Sequence, residues 1–226
     1  MIFYYITDRR QFPGTPAEQR ARLLAKIAEA TRAGVDLIQL REKDLPARDL
    51  ESLAREAVTV VRENAGKRTQ MLINSRVDVA IAAETDGVHL RADDIAASEA
   101  RVIFAKAGVS KPVIGVSCHS LSEVRLAESH GADFAVFGPV FEKSGAPGQG
   151  LATLQAVCGQ VPARGVEAAV PAGKMPVLAL GGVTQDNATA CLEAGAAGVA
   201  AIRLFQENDI ASIIGALKGR HKDAEN

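Results

Sequence analysis

The chain has 226 residues, 47% of them hydrophobic and 23% charged, with a formal net charge of −1. That length allows one large domain or two small ones, and the near-neutral balance argues against a nucleic-acid binder with a broad basic face. No stretch approaches the roughly 20 unbroken apolar residues that a bilayer span requires. The opening MIFYYITDRR has no basic segment ahead of its apolar run, so it reads as the buried first strand of a cytoplasmic protein. Cys118, Cys158 and Cys191 form no C-x-x-C pair and leave one thiol over, which suits small buried hydrophobes in a reducing compartment.

Along the chain, short apolar runs alternate with segments of helical periodicity. Strands are predicted at 2–7, 36–41, 71–74, 87–90, 113–117, 134–140, 177–181 and 198–203. Helices are predicted at 17–33, 46–65, 77–84, 95–107, 120–130, 151–161, 187–194 and 207–217. Glycines close several of these helices, as in Ala33-Gly34 and at Gly131 and Gly195. Eight βα units without a linker predict an α/β protein, a single (β/α)₈ barrel domain over residues 1–226. The competing doubly wound sheet would bring a glycine fingerprint after the first strand, and Thr7-Asp8-Arg9-Arg10 is not one. Residues 162–174 read as an extended connection or a frayed helix end, and the charged tail 218–226 as loose.

A barrel collects its ligands at the C-terminal ends of its strands, with phosphates often held by the loops after the seventh and eighth. Gly181-Gly182 follows the seventh. A glycine pair lets backbone N–H groups approach an anion, or it makes a tight structural turn. In the second strand, alternation puts Gln39, Arg41 and Lys43 on one face, opposite Ile38 and Leu40. Two cations and an amide at the mouth suit an anion such as a diphosphate. The alternative is an internal salt bridge to Glu42 or to a carboxylate on a neighbouring strand.

At the end of the third strand, Asn74 can read a heterocycle's edge, or Ser75 can cap the following helix. His89 turns inward as a barrel-interior residue. Asp93-Asp94 can ligate Mg²⁺, a hard cation that takes carboxylate oxygens, or can cap the helix near Ile95. Ser117 and His119 lie at the end of the fifth strand without a G-x-S-x-G elbow, and His119 can act as acid or base near neutrality. Ser120 with Glu123 forms a capping box. The glycine-rich stretch 138–150, carrying Lys143, is either a lid over a phosphate or a flexible loop.

Seven segments in order then carry a resemblance: YYITD (4–8), QLREK (39–43), LINSRVDVA (72–80), GVHL (87–90), IGVSCHS (114–120), GADFAVFGPVF (131–141) and ALGGVTQDN (179–187). Over nearly its whole length the chain resembles the thiamine-phosphate synthase and thiazole tautomerase superfamily. The resemblance implies a (β/α)₈ barrel and a transferase that joins hydroxymethylpyrimidine diphosphate to thiazole phosphate, releasing pyrophosphate. Mg²⁺ would assist ionisation of the diphosphate, and the thiazole nitrogen would capture the carbocation. By the same resemblance, Gln39, Arg41 and Lys43 hold the diphosphate, Asn74 reads the pyrimidine, Ser117 lies beside it, and Asp94 binds Mg²⁺. Gly182 and the Ile202-Arg203 position, with Gly181 adjoining, bind the thiazole phosphate.

Three departures accompany the resemblance. Ser75 stands where the synthase pattern has Asp, removing one Mg²⁺ carboxylate that Asp93 beside Asp94 could partly replace. Glu142-Lys143-Ser144-Gly145 replaces a Thr-rich run ending in lysine. Arg203 replaces a serine, a change that suits a phosphate. The tautomerase branch needs neither metal nor pyrophosphate and works through a histidine at the position of His119. A barrel that binds a thiamine precursor without turnover is the third reading. The synthase comes first because the diphosphate-binding strand is complete. The expected partners are small phosphorylated pyrimidine and thiazole substrates. Apolar outer helix faces leave open a homo-oligomer or packing alone.

Overall fold

The computed structural model describes residues 1–224 apart from 65–68, 143, 144, 146, 161, 162 and 165–172. For 160, 163, 164, 173, 174 and 221–224 it describes the backbone alone. In chain order the elements are β1 (Ile2–Ile6), a 3₁₀ turn (Arg9–Gln11), α1 (Pro16–Ala33), β2 (Leu37–Leu40) and α2 (Ala47–Asn64). Next come β3 (Gln70–Asn74), α3 (Val77–Ala82), β4 (Gly87–Leu90), α4 (Ala97–Lys106), β5 (Val113–Cys118) and α5 (Leu121–Ser129). After β6 (Phe134–Phe137) and α6 (Leu151–Gln160) lie β7 (Ala163–Arg164) and β8 (Gly173–Lys174). The chain ends with β9 (Val177–Leu180), α7 (Ala188–Glu193), β10 (Gly198–Ala201), α8 (Arg203–Gln206) and α9 (Ile210–Ala224).

Eight parallel strands close in the order β1-β10-β9-β6-β5-β4-β3-β2, which makes the protein a (β/α)₈ barrel. Alternation along each strand separates two cores. In β1, Phe3 and Tyr5 face the helices, whereas Tyr4 and Ile6 join Leu37, Leu72, Phe134, Val136, Leu178 and Ala200 inside the barrel. Helix α2 buries Leu50, Leu53, Ala54, Ala57, Val58 and Val61, an apolar stripe at three- and four-residue spacing. Thr15, Pro16 and Glu18 start α1 through a capping box, and Gly34 ends it at φ +84°.

At the N-terminal end of the barrel one device recurs. Asp36, Asp86 and Asp133 each accept the N–H of a residue opening the neighbouring strand: Phe3 at 2.9 Å, Met71 at 2.7 Å and Ile114 at 2.7 Å. An ionised acceptor strengthens such a bond, so these carboxylates pin the strand starts on the side away from ligands.

Three expectations change. Part of 162–174 forms an antiparallel pair, β7 with β8, while 165–172 lie outside the described residues. The eighth barrel strand stops at Ala201, and Leu204 and Phe205 turn back into the core as part of α8. The charged tail is helical to Ala224, because Ala, Lys, Arg and Asp continue α9 without a glycine or proline stop after Gly219. Among the described residues no helix is long and apolar enough to cross a membrane.

Candidate active site

The cationic rim is built by the loop that follows β1. Glu42 is buried, with its side chain 1% exposed, and Thr7 Oγ1 donates to it at 2.6 Å. The Arg9 N–H and guanidinium also donate to Glu42, at 3.0 and 3.1 Å, and Arg9 clamps Asp44 through two bonds of 2.7 Å. Burial pushes the Glu42 carboxyl up, against the pull of Thr7 and Arg9. The carboxylate nearest Arg41 in sequence is therefore committed elsewhere. Arg41 itself is half-buried, donates its backbone N–H to Thr7 Oγ1 at 3.0 Å, and forms no ion pair among the described residues. Lys43 is exposed, but β2 ends at Leu40, so Lys43 stands in the following turn and not on the strand face that alternation predicts. The internal salt bridge between Arg41 and Glu42 allowed by the sequence does not form. Arg9, in a loop that carries no fingerprint in the sequence, is the cation that takes the Glu42 carboxylate instead.

Gln39 sits deeper than Arg41 and Lys43. It is 1% exposed, and its Nε2 lies 2.9 Å from the Tyr4 hydroxyl. The same hydroxyl lies 3.0 Å from His89 Nδ1, and His89 Nε2 is 2.8 Å from Ser117 Oγ. Burial, aided by the Arg41 charge, lowers the His89 pKa to about 3, so its ring is neutral. Phe134 packs edge-on against Tyr4 with ring centres 5.4 Å apart, in space that exists because residue 115 is glycine. A Cβ at Gly115 would stand 2.3 Å from the Phe134 ring. Tyr4 had no chemical signal in the sequence beyond its place in a buried strand.

Asn74 and Ser75 close β3 beside β4, with the Ser75 N–H donating to the His89 carbonyl at 2.8 Å. Asn74 is half-buried and donates to Ser75 Oγ at 3.1 Å. Ser75 has φ +63°, a left-handed backbone that Asn and Asp tolerate better than Ser. Asp94 accepts the Arg91 N–H at 2.7 Å, and Asp93 pairs with the Arg91 guanidinium. No group of three metal-ligating side chains forms among the described residues. Mg²⁺ takes one or two carboxylates and completes its shell with water and substrate phosphate. The Asp94 carboxylate fits that reduced role; Asp93, neutralised by Arg91, fits it less well.

On the opposite wall, Gly181 and Gly182 adopt φ +95° and +65°. A Cβ would meet Pro139 at 2.5 Å from Gly181, and Phe141 Cβ at 2.7 Å from Gly182. The loop after β6 thus leans on the pair, with the Phe141 N–H donating to the Gly181 carbonyl at 3.0 Å. The glycines are required by this contact whether or not an anion binds. Ile202 precedes α8, whose first residue, Arg203, is exposed and without an ion pair among the described residues. His119 is exposed, with Nδ1 2.6 Å from the Gly138 carbonyl. Lys143 lies outside the described residues.

The family described as thiamine monophosphate synthase matches residues 3–205. The chain belongs to that family. It is 41% identical to a Geobacter sulfurreducens relative over 88% of this chain and 84% of the other. To the thiamine-phosphate synthase of Methanoculleus marisnigri it is 36% identical, over 96% of this chain and 93% of the relative. Among solved structures, the thiamine phosphate pyrophosphorylase of Pyrococcus furiosus superposes with a TM-score of 0.75 at 30% identity, covering 96% and 94% of the two chains. In this thiamine monophosphate synthase barrel, the Arg41 rim, Ser117, Asp94, Gly181-Gly182 and Arg203 all stand at the C-terminal ends of the strands, where the fold places its chemistry.

Proposed function

We propose that the protein is a thiamine-phosphate synthase, a transferase that couples hydroxymethylpyrimidine diphosphate to thiazole phosphate and releases pyrophosphate. The observation that carries this reading is Arg41, a half-buried guanidinium at the barrel mouth whose neighbouring carboxylate is held by Arg9. A cation kept from its internal partners is ready for an external anion, and a fork-shaped donor matches phosphate oxygens. Arg41 and Lys43 bind the diphosphate and stabilise the charge that gathers on it as the carbon–oxygen bond breaks. Asn74 orients the pyrimidine, and Gly182 with Arg203 seats the thiazole phosphate so that its ring nitrogen faces the cationic carbon. Asp94 would hold Mg²⁺, which when bound neutralises the leaving diphosphate.

Mixing the two phosphorylated substrates with Mg²⁺ should release pyrophosphate, and Arg41→Ala should lower kcat/KM by about 100-fold or more. Absence of pyrophosphate from the parent protein would sink the reading. One observation favours the tautomerase alternative: the His119 contact with the Gly138 carbonyl requires a proton on Nδ1 and leaves Nε2 as a base. Metal-free aromatisation of thiazole carboxylate phosphate by the same preparation would move the assignment there.

A further inference from the structure

Four polar side chains are linked across the barrel interior from β2 to β5: Gln39, Tyr4, His89 and Ser117, with successive distances of 2.9, 3.0 and 2.8 Å. Gln39, Tyr4 and His89 are each exposed by 2% or less, so water cannot substitute for a missing partner. The protons on such a line are not independent. The Gln39 amide donates to the Tyr4 oxygen, which leaves the Tyr4 hydrogen to be given to His89 Nδ1. Burial raises the Tyr4 pKa well above its ordinary value, so the phenol keeps that hydrogen. A neutral imidazole that accepts at Nδ1 carries its proton on Nε2, and Nε2 faces Ser117 Oγ. Ser117 therefore receives one hydrogen bond from His89 and retains its own hydroxyl proton. It is half-buried at the end of β5, where that proton can face a ligand.

We propose that Tyr4 and His89 form a one-way hydrogen-bond relay that fixes Ser117 as a donor toward an acceptor atom of the bound substrate. His89 is then a positioning residue, acting through Ser117 without touching substrate. The direction is set by Gln39, so the strand that carries the Arg41 rim also orients a hydroxyl across the barrel. The opposite proton order would present a Ser117 lone pair to an anionic substrate, and that arrangement is repulsive.

The catalytic part of this inference rests on the synthase reading; the proton order does not. Two-bond ¹⁵N–¹H correlation spectra of histidine-labelled protein report which ring nitrogen is protonated, with the His89 signal identified by its loss in His89→Gln. A bare Nδ1 and a protonated Nε2 are expected; a protonated Nδ1 would overturn the relay even if the enzyme is inactive. In pyrophosphate release, His89→Leu and Ser117→Ala should each lower kcat by about 10- to 100-fold, and the double variant should be no slower than the slower single one. Losses that multiply would show two unconnected roles and refute the proposal. His89→Gln, whose amide can still donate to Ser117, should recover most of the rate. Should His89→Leu fail to fold by circular dichroism, Tyr4→Phe serves instead, with a mixed His89 tautomer and a lower kcat expected. A single Nε2–H tautomer at parental rate in that variant would refute the part given to Tyr4.

Discussion

Arg41 and Glu42 are neighbours that strand alternation sends to opposite faces, and each acquires its role from that split. Glu42 meets Arg9 and Thr7 outside the barrel mouth, while Arg41 turns to the mouth without an internal anion. His89 carries a further consequence at this scale. Its pKa falls from 6.5 to about 3 on folding, so the unfolded chain binds more protons between those values and stability declines as pH falls through that window. The loss approaches about 1.4 kcal/mol per pH unit well below 6.5. Urea unfolding of the parent and of His89→Gln at pH 7 and pH 5 should show a smaller decline in the variant. Equal declines would show that His89 is not held neutral in the fold.

Two connections between elements shape the mouth. The β1 loop and the end of β2 are locked by the buried Arg9–Glu42 pair at 3.1 Å, with Asp44 holding the other side of the guanidinium. Removing Glu42 leaves the Thr7 hydroxyl and the Arg9 N–H buried without their acceptor, while Asp44 still pairs with the guanidinium, so Glu42→Ala should cost about 1–3 kcal/mol in urea unfolding. It should also raise KM for the pyrimidine diphosphate as Arg41 loses its fixed backbone. The second connection is between the β6 loop and the turn after β9. At Gly182 an added Cβ would lie 2.8 Å from the Glu142 carbonyl oxygen and would sit on a backbone with φ +65°. The left-handed backbone alone costs about 1–2 kcal/mol, so Gly182→Ala should lower Tm and raise KM for the thiazole phosphate more than for the pyrimidine. A selective rise for the pyrimidine would place the phosphate elsewhere.

Across the whole molecule the barrel divides its labour between its two ends. Asp36, Asp86 and Asp133 pin strand starts at one end, and the groups assigned to chemistry gather at the other. Asp86→Ala should therefore cost about 1–2 kcal/mol of stability through the lost bond to the Met71 N–H while leaving kcat within about twofold. A large drop in kcat would contradict that division. Much of this organisation follows from the chain read by itself. Eight βα periods, the Ser120 cap at the start of α5, and the shared face of Gln39 and Arg41 depend on spacing along a single segment, and spacing is local. What depended on tertiary structure was which partners meet across the barrel. Residues 28 to 35 apart decide that Glu42 belongs to Arg9 and Thr7, that Gln39 donates to Tyr4, and that His89 reaches Ser117. The glycine pair shows the same limit: its sequence signals a backbone without side chains, but only the loop packed against it reveals that Pro139 and Phe141 occupy the space. Period and composition act within an element, whereas charge neutralisation and proton order are set when closure brings distant strands within hydrogen-bond reach.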